Sequence, residues 1–215
     1  MAKSPSDPRR PLLVAAVLIV MPPAGAAIIG TIPTGEGKPP VKYQCDHASM
    51  DYGGGLLHLR GNVRIWQGDI SVAADQADAT GNGHEFRTSH WVFGGKVHVR
   101  SESQGDLHAD HATVEIAMGE LRSAVVSGSP ALFEQTRPMA GRMARGHAAT
   151  IDYEVAAHTV TLSGDAVLSD DRNGEDLRGE TMTYNVRDMV VEAEGGPGSR
   201  ARMTVTPGSA PEKKP

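Results

Sequence analysis

The chain has 215 residues, 39% apolar but only 4% aromatic, so any core must be built mainly from Val, Leu, Ile, Ala and Met. A net charge of −5, with no dense block of Lys and Arg, argues against nucleic acid as a partner. The one cysteine, Cys45, excludes an internal disulfide, and its Tyr43-Gln44-Cys45 context lacks the small residues of a lipoprotein acylation site.

Lys3, Arg9 and Arg10 precede an apolar run from Leu12 to Met21, followed by Pro22-Pro23 and Ala24-Gly25-Ala26. Charged, apolar and small-x-small regions in that order read as a secretory signal peptide over residues 1–26. The alternative is an uncleaved anchor continuing through Ile28-Ile29, although the run falls short of the roughly 20 residues that span a bilayer. Either reading places the domain outside the cytoplasm. Residues 27–40 read as a linker, 41–207 as the folded domain, and 208–215 as a disordered tail.

Within the domain, four segments repeat. They run from Leu57 to Ile65, Trp91 to Val99, Ala124 to Leu132 and Val160 to Leu168, centred on Gly61, Gly95, Gly128 and Gly164. The glycines are 34, 33 and 36 residues apart, a near-constant period expected of stacked supersecondary units. Each segment alternates like a half-buried strand, with its glycine on the apolar row. A glycine recurring there implies a bend or a close approach by another group. Stacked in register, the apolar rows would line one continuous interior. Shorter strands follow each segment, and Asn82-Gly83 and Asn173-Gly174 mark tight turns. No long segment has a helical period, so the expected class is all-β.

Of nine histidines, His108 and His111 are the closest pair. Three residues apart on a strand, they are expected to face opposite ways, so no metal site is expected. The acidic stretch from Asp170 to Asp176 lacks calcium-loop spacing and reads as a solvated turn. Asp75 and Asp110 recur at matched positions, which suits a turn role rather than a unique catalytic pair. Ser127 and Ser163 precede glycines without a nucleophile elbow or a neighbouring base. Trp91 falls on the apolar row; Trp66 falls on the opposite one. No cofactor and no enzymatic activity are expected.

Four stretches resemble the lipopolysaccharide-transport protein A (LptA/OstA-like) family. They are Gly61-Asn62-Val63 with Ala74-Asp75; Gly128-Ser129-Pro130-Ala131-Leu132-Phe133-Glu134-Gln135; Gly146-His147-Ala148 with Ile151-Asp152-Tyr153-Glu154, leading to Gly164-Asp165-Ala166; and Leu177-Arg178-Gly179-Glu180 with Thr183-Tyr184, ending at Thr204-Val205-Thr206-Pro207. Trp91 to Ala117 departs from the pattern as an additional repeat. The resemblance implies a V-shaped, twisted antiparallel β-jellyroll of stacked hairpins. It implies a periplasmic carrier of lipopolysaccharide, holding acyl chains in its interior between inner and outer membrane. Val41, Tyr43, Phe133, Tyr153 and Val155 are the lipid-contacting positions it implies. It also implies LptC-like inner-membrane and LptD-like outer-membrane jellyroll partners joined by edge-strand addition, and head-to-tail self-association. The rival readings are a membrane-anchored LptC-like partner of the same system, a secreted carbohydrate-active enzyme on a β-solenoid, and an adhesin-like module without a ligand.

Overall fold

The computed structural model describes residues 27–32, 39–81, 86–102, 105–137, 142–170, 175–185, 187–188 and 190–205. The signal segment, the tail and both Asn-Gly pairs lie outside them. The described strands are β1 (Ile28–Ile32), β2 (Val41–Cys45), β3 (His47–Asp51), β4 (Leu56–Gln67), β5 (Ile70–Gly81), β6 (Ser89–Ser101), β7 (Gly105–Ala117), β8 (Glu120–Arg137), β9 (Arg142–Glu154), β10 (Thr159–Asp170), β11 (Glu175–Asn185), β12 (Val190–Glu194) and β13 (Arg202–Val205). All belong to one sheet.

From β4 to β12 each strand pairs antiparallel with the next in sequence. The chain therefore zigzags as a meander, which rules out the β-solenoid scaffold, whose chain winds in one direction. The two ends of the meander are built alike. β4 carries β2 on one half of its length and β3 on the other. β11 carries β13 on one half and β12 on the other. Only β1 stands outside this scheme, pairing with β2 alone. The segment expected to be a linker thus contributes a strand, and Val41–Cys45 is not the terminal strand of its side.

Every long strand is interrupted near its middle. The register shifts between Arg60 and Val63, Gly94 and Val97, Ser127 and Ala131, and Ser163 and Ala166. These are the sites of the four repeated glycines. Gly61, Gly95 and Gly164 take positive φ, and so do the residues after them, Asn62, Lys96 and Asp165. Two left-handed residues in succession make a bulge that bends its strand. In β8, Gly128 is followed by Ser129-Pro130, joined by a cis peptide bond. Aligned from β4 to β11, the bulges form a crease across the sheet.

Both expectations about the glycines hold, since each bend is also a close approach. A Cβ on Gly61 would lie 2.5 Å from Asp46 Oδ2, and one on Gly95 would strike the Asp75 carboxylate. Asp46 accepts a hydrogen bond from Asn62 Nδ2 at 2.7 Å, while its N–H donates to the Gly61 carbonyl at 2.9 Å. Asp75 therefore serves the crease in mid-strand rather than a turn.

The crease determines the core. One face of the sheet is apolar, and its alternate residues are buried, although no second sheet or helix lies among the described residues to cover it. The sheet covers itself by folding along the crease, giving two facing walls. Beside the crease on one wall run Leu59, Ala77, Phe93, Ala112, Val126, Ile151, Leu162 and Met182. On the other run Val63, Ala74, Val97, Ala109, Ala131, Ala148 and Ala166, and all of these residues on both walls are buried. The alanines let the walls close together near the fold line.

Gly95→Ala should cost about 1–3 kcal/mol, because the left-handed conformation and the Asp75 carboxylate both oppose a methyl group. Gly53→Ala, in an exposed turn of ordinary φ, should change little. Urea unfolding midpoints of the two variants provide the check.

Candidate functional site: an apolar groove

Two further apolar rows lie one step farther from the crease, at the lips of the fold. On one wall the row is Leu57, Ala79, Trp91, Val114, Ala124, Tyr153, Val160 and Tyr184. On the other it is Tyr43, Ile65, Val72, Val99, Leu107, Phe133, Gly146, Leu168, Leu177 and Met203. These rows are buried only at the N-terminal end. Trp91 stacks on Phe93 at 5.9 Å, Phe86 packs against Trp91 at 6.4 Å, and the Trp91 indole N–H donates to Ser89 Oγ at 3.0 Å. From β7 onward the lips are half-exposed, and the far end carries Met203 at 64% exposure. The rows outline an apolar groove with a buried floor, its lips buried at the N-terminal end and increasingly exposed towards the other. At the usual inter-strand spacing it is on the order of 40 Å long.

The repeat generates these rows arithmetically. Two residues either side of Gly61, Gly95 and Gly164 lie the floor residues; four residues either side lie the lips. In β8 the extra residue at the Pro130 bulge moves the second lip to Phe133. Val160 and Leu168, expected on the apolar row, line the groove, and Leu107, Val114, Leu177 and Tyr184 line it with them. The spacing from the glycines is the signal that identifies Val160 and Leu168; the others follow by pairing.

Of the five expected contact positions, the structure puts Phe133 and Tyr153 on opposite lips. Gly146 makes room for the Phe133 ring, since a Cβ there would lie 2.6 Å from Cε1. Val41 is partly buried on the inner face of β2. Tyr43, 1% exposed, lies at the N-terminal end, with its ring against Gly30 of β1, where a Cβ would overlap it. Burial pushes the Tyr43 phenol and the neighbouring Cys45 thiol above their ordinary values. Val155 was expected on a strand, but β9 ends at Glu154 and Val155 lies in the following turn, its N–H donating to the Arg122 carbonyl at 3.1 Å.

A single antiparallel sheet folded over its own apolar face defines a β-jellyroll. Residues 84–190 match the family described as LptA/(LptD N-terminal domain) LPS transport protein. The lipopolysaccharide export system protein LptA of Escherichia coli K12 is 27% identical over 194 residues, covering 88% of this chain and 85% of the relative. That of Shigella flexneri matches to the same extent. A crystal structure of LptH, the LptA-homologous periplasmic component of the lipopolysaccharide transport device of Pseudomonas aeruginosa, covers 81% of this chain and 100% of its own, at 19% identity and a TM-score of 0.43. Over most of its length the chain is thus similar to LptA.

The outer face of the sheet carries the charge. His58 Nδ1 and Arg60 Nη1 lie 2.6 and 2.7 Å from Asp78 Oδ1, and His98 Nε2 and Arg100 Nε lie 2.8 and 3.0 Å from Asp106 Oδ1. His108 stacks on His98 at 4.1 Å. Contrary to expectation, His108 and His111 face the same way, both exposed and each followed by a buried alanine, Ala109 and Ala112. The register shift between them adds a residue and restores the outward direction. Even so, no group of three or more potential ligands able to hold a metal occurs among the described residues.

Partial burial raises the Asp78 carboxyl, but hydrogen bonds from Arg60 and His58 outweigh it and hold the carboxyl below its ordinary value. A depressed folded-state value gives stability that is complete above the unfolded carboxylate value, about 3.9, and disappears as pH falls through the folded one. Asp78→Asn should therefore cost about 0.2–1 kcal/mol at pH 7, in the range of exposed pairs. The gap to wild type should close in acid, as read by denaturant titrations between pH 7 and pH 3.

Proposed function

We propose that the protein is a periplasmic bridge component that binds lipopolysaccharide and carries it between inner and outer membrane for outer-membrane assembly. The observation that carries this reading is the groove: four apolar rows cross the sheet from strand to strand, with half-exposed lips and a buried floor. An acyl chain laid along them exchanges water for Val, Leu, Phe and Tyr side chains. At about 0.8 kcal/mol per methylene, ten buried carbons contribute roughly 8 kcal/mol before ordering costs. The names of the relatives, lipopolysaccharide export system proteins, support the same ligand. Phe133 and Tyr153 make the central contacts, one from each lip. Tyr43 and Val41 serve the N-terminal end, and Val155 the rim.

Among the described residues the sheet is open rather than closed into a barrel, and such outermost strands offer backbone groups to a neighbour. LptC-like and LptD-like jellyrolls are the partners of this reading, and copies of the chain associate head to tail. Such a contact joins two different surfaces and does not close, so it extends the groove from copy to copy.

A photo-crosslinking residue at Phe133 or Tyr153 should capture lipopolysaccharide, whereas one at Lys96 or Asp165, on the bulges, should not. Equal capture at all four would refute the groove as the lipid site. In sedimentation across a concentration series, wild type should assemble. Thr204→Pro, which disturbs β13 at the sheet margin, should stay monomeric and folded.

A further inference from the structure

β1 is the strand that breaks the matched construction of the two ends. β2 and β3 sit on the two halves of β4 as β13 and β12 sit on the two halves of β11. β1 adds a strand on the β2 side, with no counterpart beside β3 among the described residues. It covers the β2 edge, where an incoming strand would otherwise pair. Its Gly30 lies against the Tyr43 ring, and Ile32 and Cys45 are buried beside it. The opposite end of the same lip has Met203 largely exposed. A groove open at one end and stoppered at the other can hold a lipid but cannot pass it from one jellyroll to the next.

We propose that β1 is a displaceable cap: it occupies the β2 edge until the terminal strand of a second copy of this chain takes its place, and its departure uncovers Tyr43 and joins the two grooves. This rests on the lipid-carrying reading above. The features of β1 fit a replaceable strand. It is held by a five-residue ladder to one neighbour, and Ile29 on its outer face is exposed. Its glycine, lacking a side chain, leaves room for the tyrosine ring. Exchange of one strand for another conserves the ladder hydrogen bonds, so the balance is decided by the contacts that docking adds.

Ile28 stands directly opposite Cys45 in the β1–β2 register, so Ile28→Cys puts a second thiol across from the native one. Cross-strand Cα separations of about 4.5–5.5 Å lie within disulfide range. The purified protein would carry this substitution, with a photo-crosslinker at Ile65, beside Tyr43 on β4, or at Phe133 as the internal reference. Each would be tested with lipopolysaccharide, oxidised and reduced. Oxidation should lower capture at Ile65 and association with a wild-type copy at least tenfold, leave capture at Phe133 intact, and be reversed by reductant. Gly30→Val, whose side chain collides with Tyr43, should act oppositely and raise capture at Ile65 several-fold. Equal capture at Ile65 in the oxidised and reduced forms, or no rise with Gly30→Val, would overturn the cap. Absence of capture at Phe133 in every form would instead overturn the lipid-carrying reading, and the cap with it.

Discussion

Burying the apolar face of a single sheet is the constraint from which the rest follows. A lone sheet with one greasy face needs a cover, and no other layer is available among the described residues. The sheet therefore folds over itself, which requires every long strand to bend at the same level. Bending without breaking the ladder takes a bulge, and a bulge of two left-handed residues takes glycine at its first position. The recurrent glycine, the aspartates packed over it and the alanines of one floor row are parts of this one requirement. The groove is its by-product: walls that meet at the crease and diverge from it leave a slot whose floor is dry and whose lips are not.

Much of this was legible because it is periodic. Gly61, Gly95, Gly128 and Gly164 announced the crease, and the apolar residues around them announced a continuous interior. Trp91, assigned to the apolar row, is buried against Phe86 and Phe93. The misreadings arose where the period is broken locally. His108 and His111 were assigned opposite faces by strict alternation, which the crease interrupts between them. Val155 keeps the parity of Tyr153, but the strand stops one residue earlier, and alternation carries no information about where a ladder ends. β1 was hidden in a stretch rich in Gly and Pro that reads as a linker; Ile28-Ile29-Gly30-Thr31-Ile32 is too short to declare itself without the partner it pairs with.

The contact residues divide by the same rule. Phe133 and Tyr153 were expected from the motifs that carry the family resemblance, and both lie on the lips. The groove as an assembly could not be, because its facing rows are opposite halves of the same strands and meet only when the sheet folds at the crease. Tyr43 shows the limit most clearly. Its inward direction follows from alternation, but whether it meets ligand or chain depends on β1.

The meander has one further consequence. From β5 to β10, each strand pairs only with its neighbours in sequence, so this part of the sheet contains no connection that a new hairpin would have to thread. β6 and β7, which include the stretch from Trp91 to Ala117, continue the crease, the floor and the lips without disturbing the strands on either side. Two strands lengthen such a sheet by roughly 10 Å. Genetic duplication of some thirty-five residues thus converts directly into reach. In a protein of this architecture, span is a quantity that evolution can adjust in steps while the cross-section stays constant.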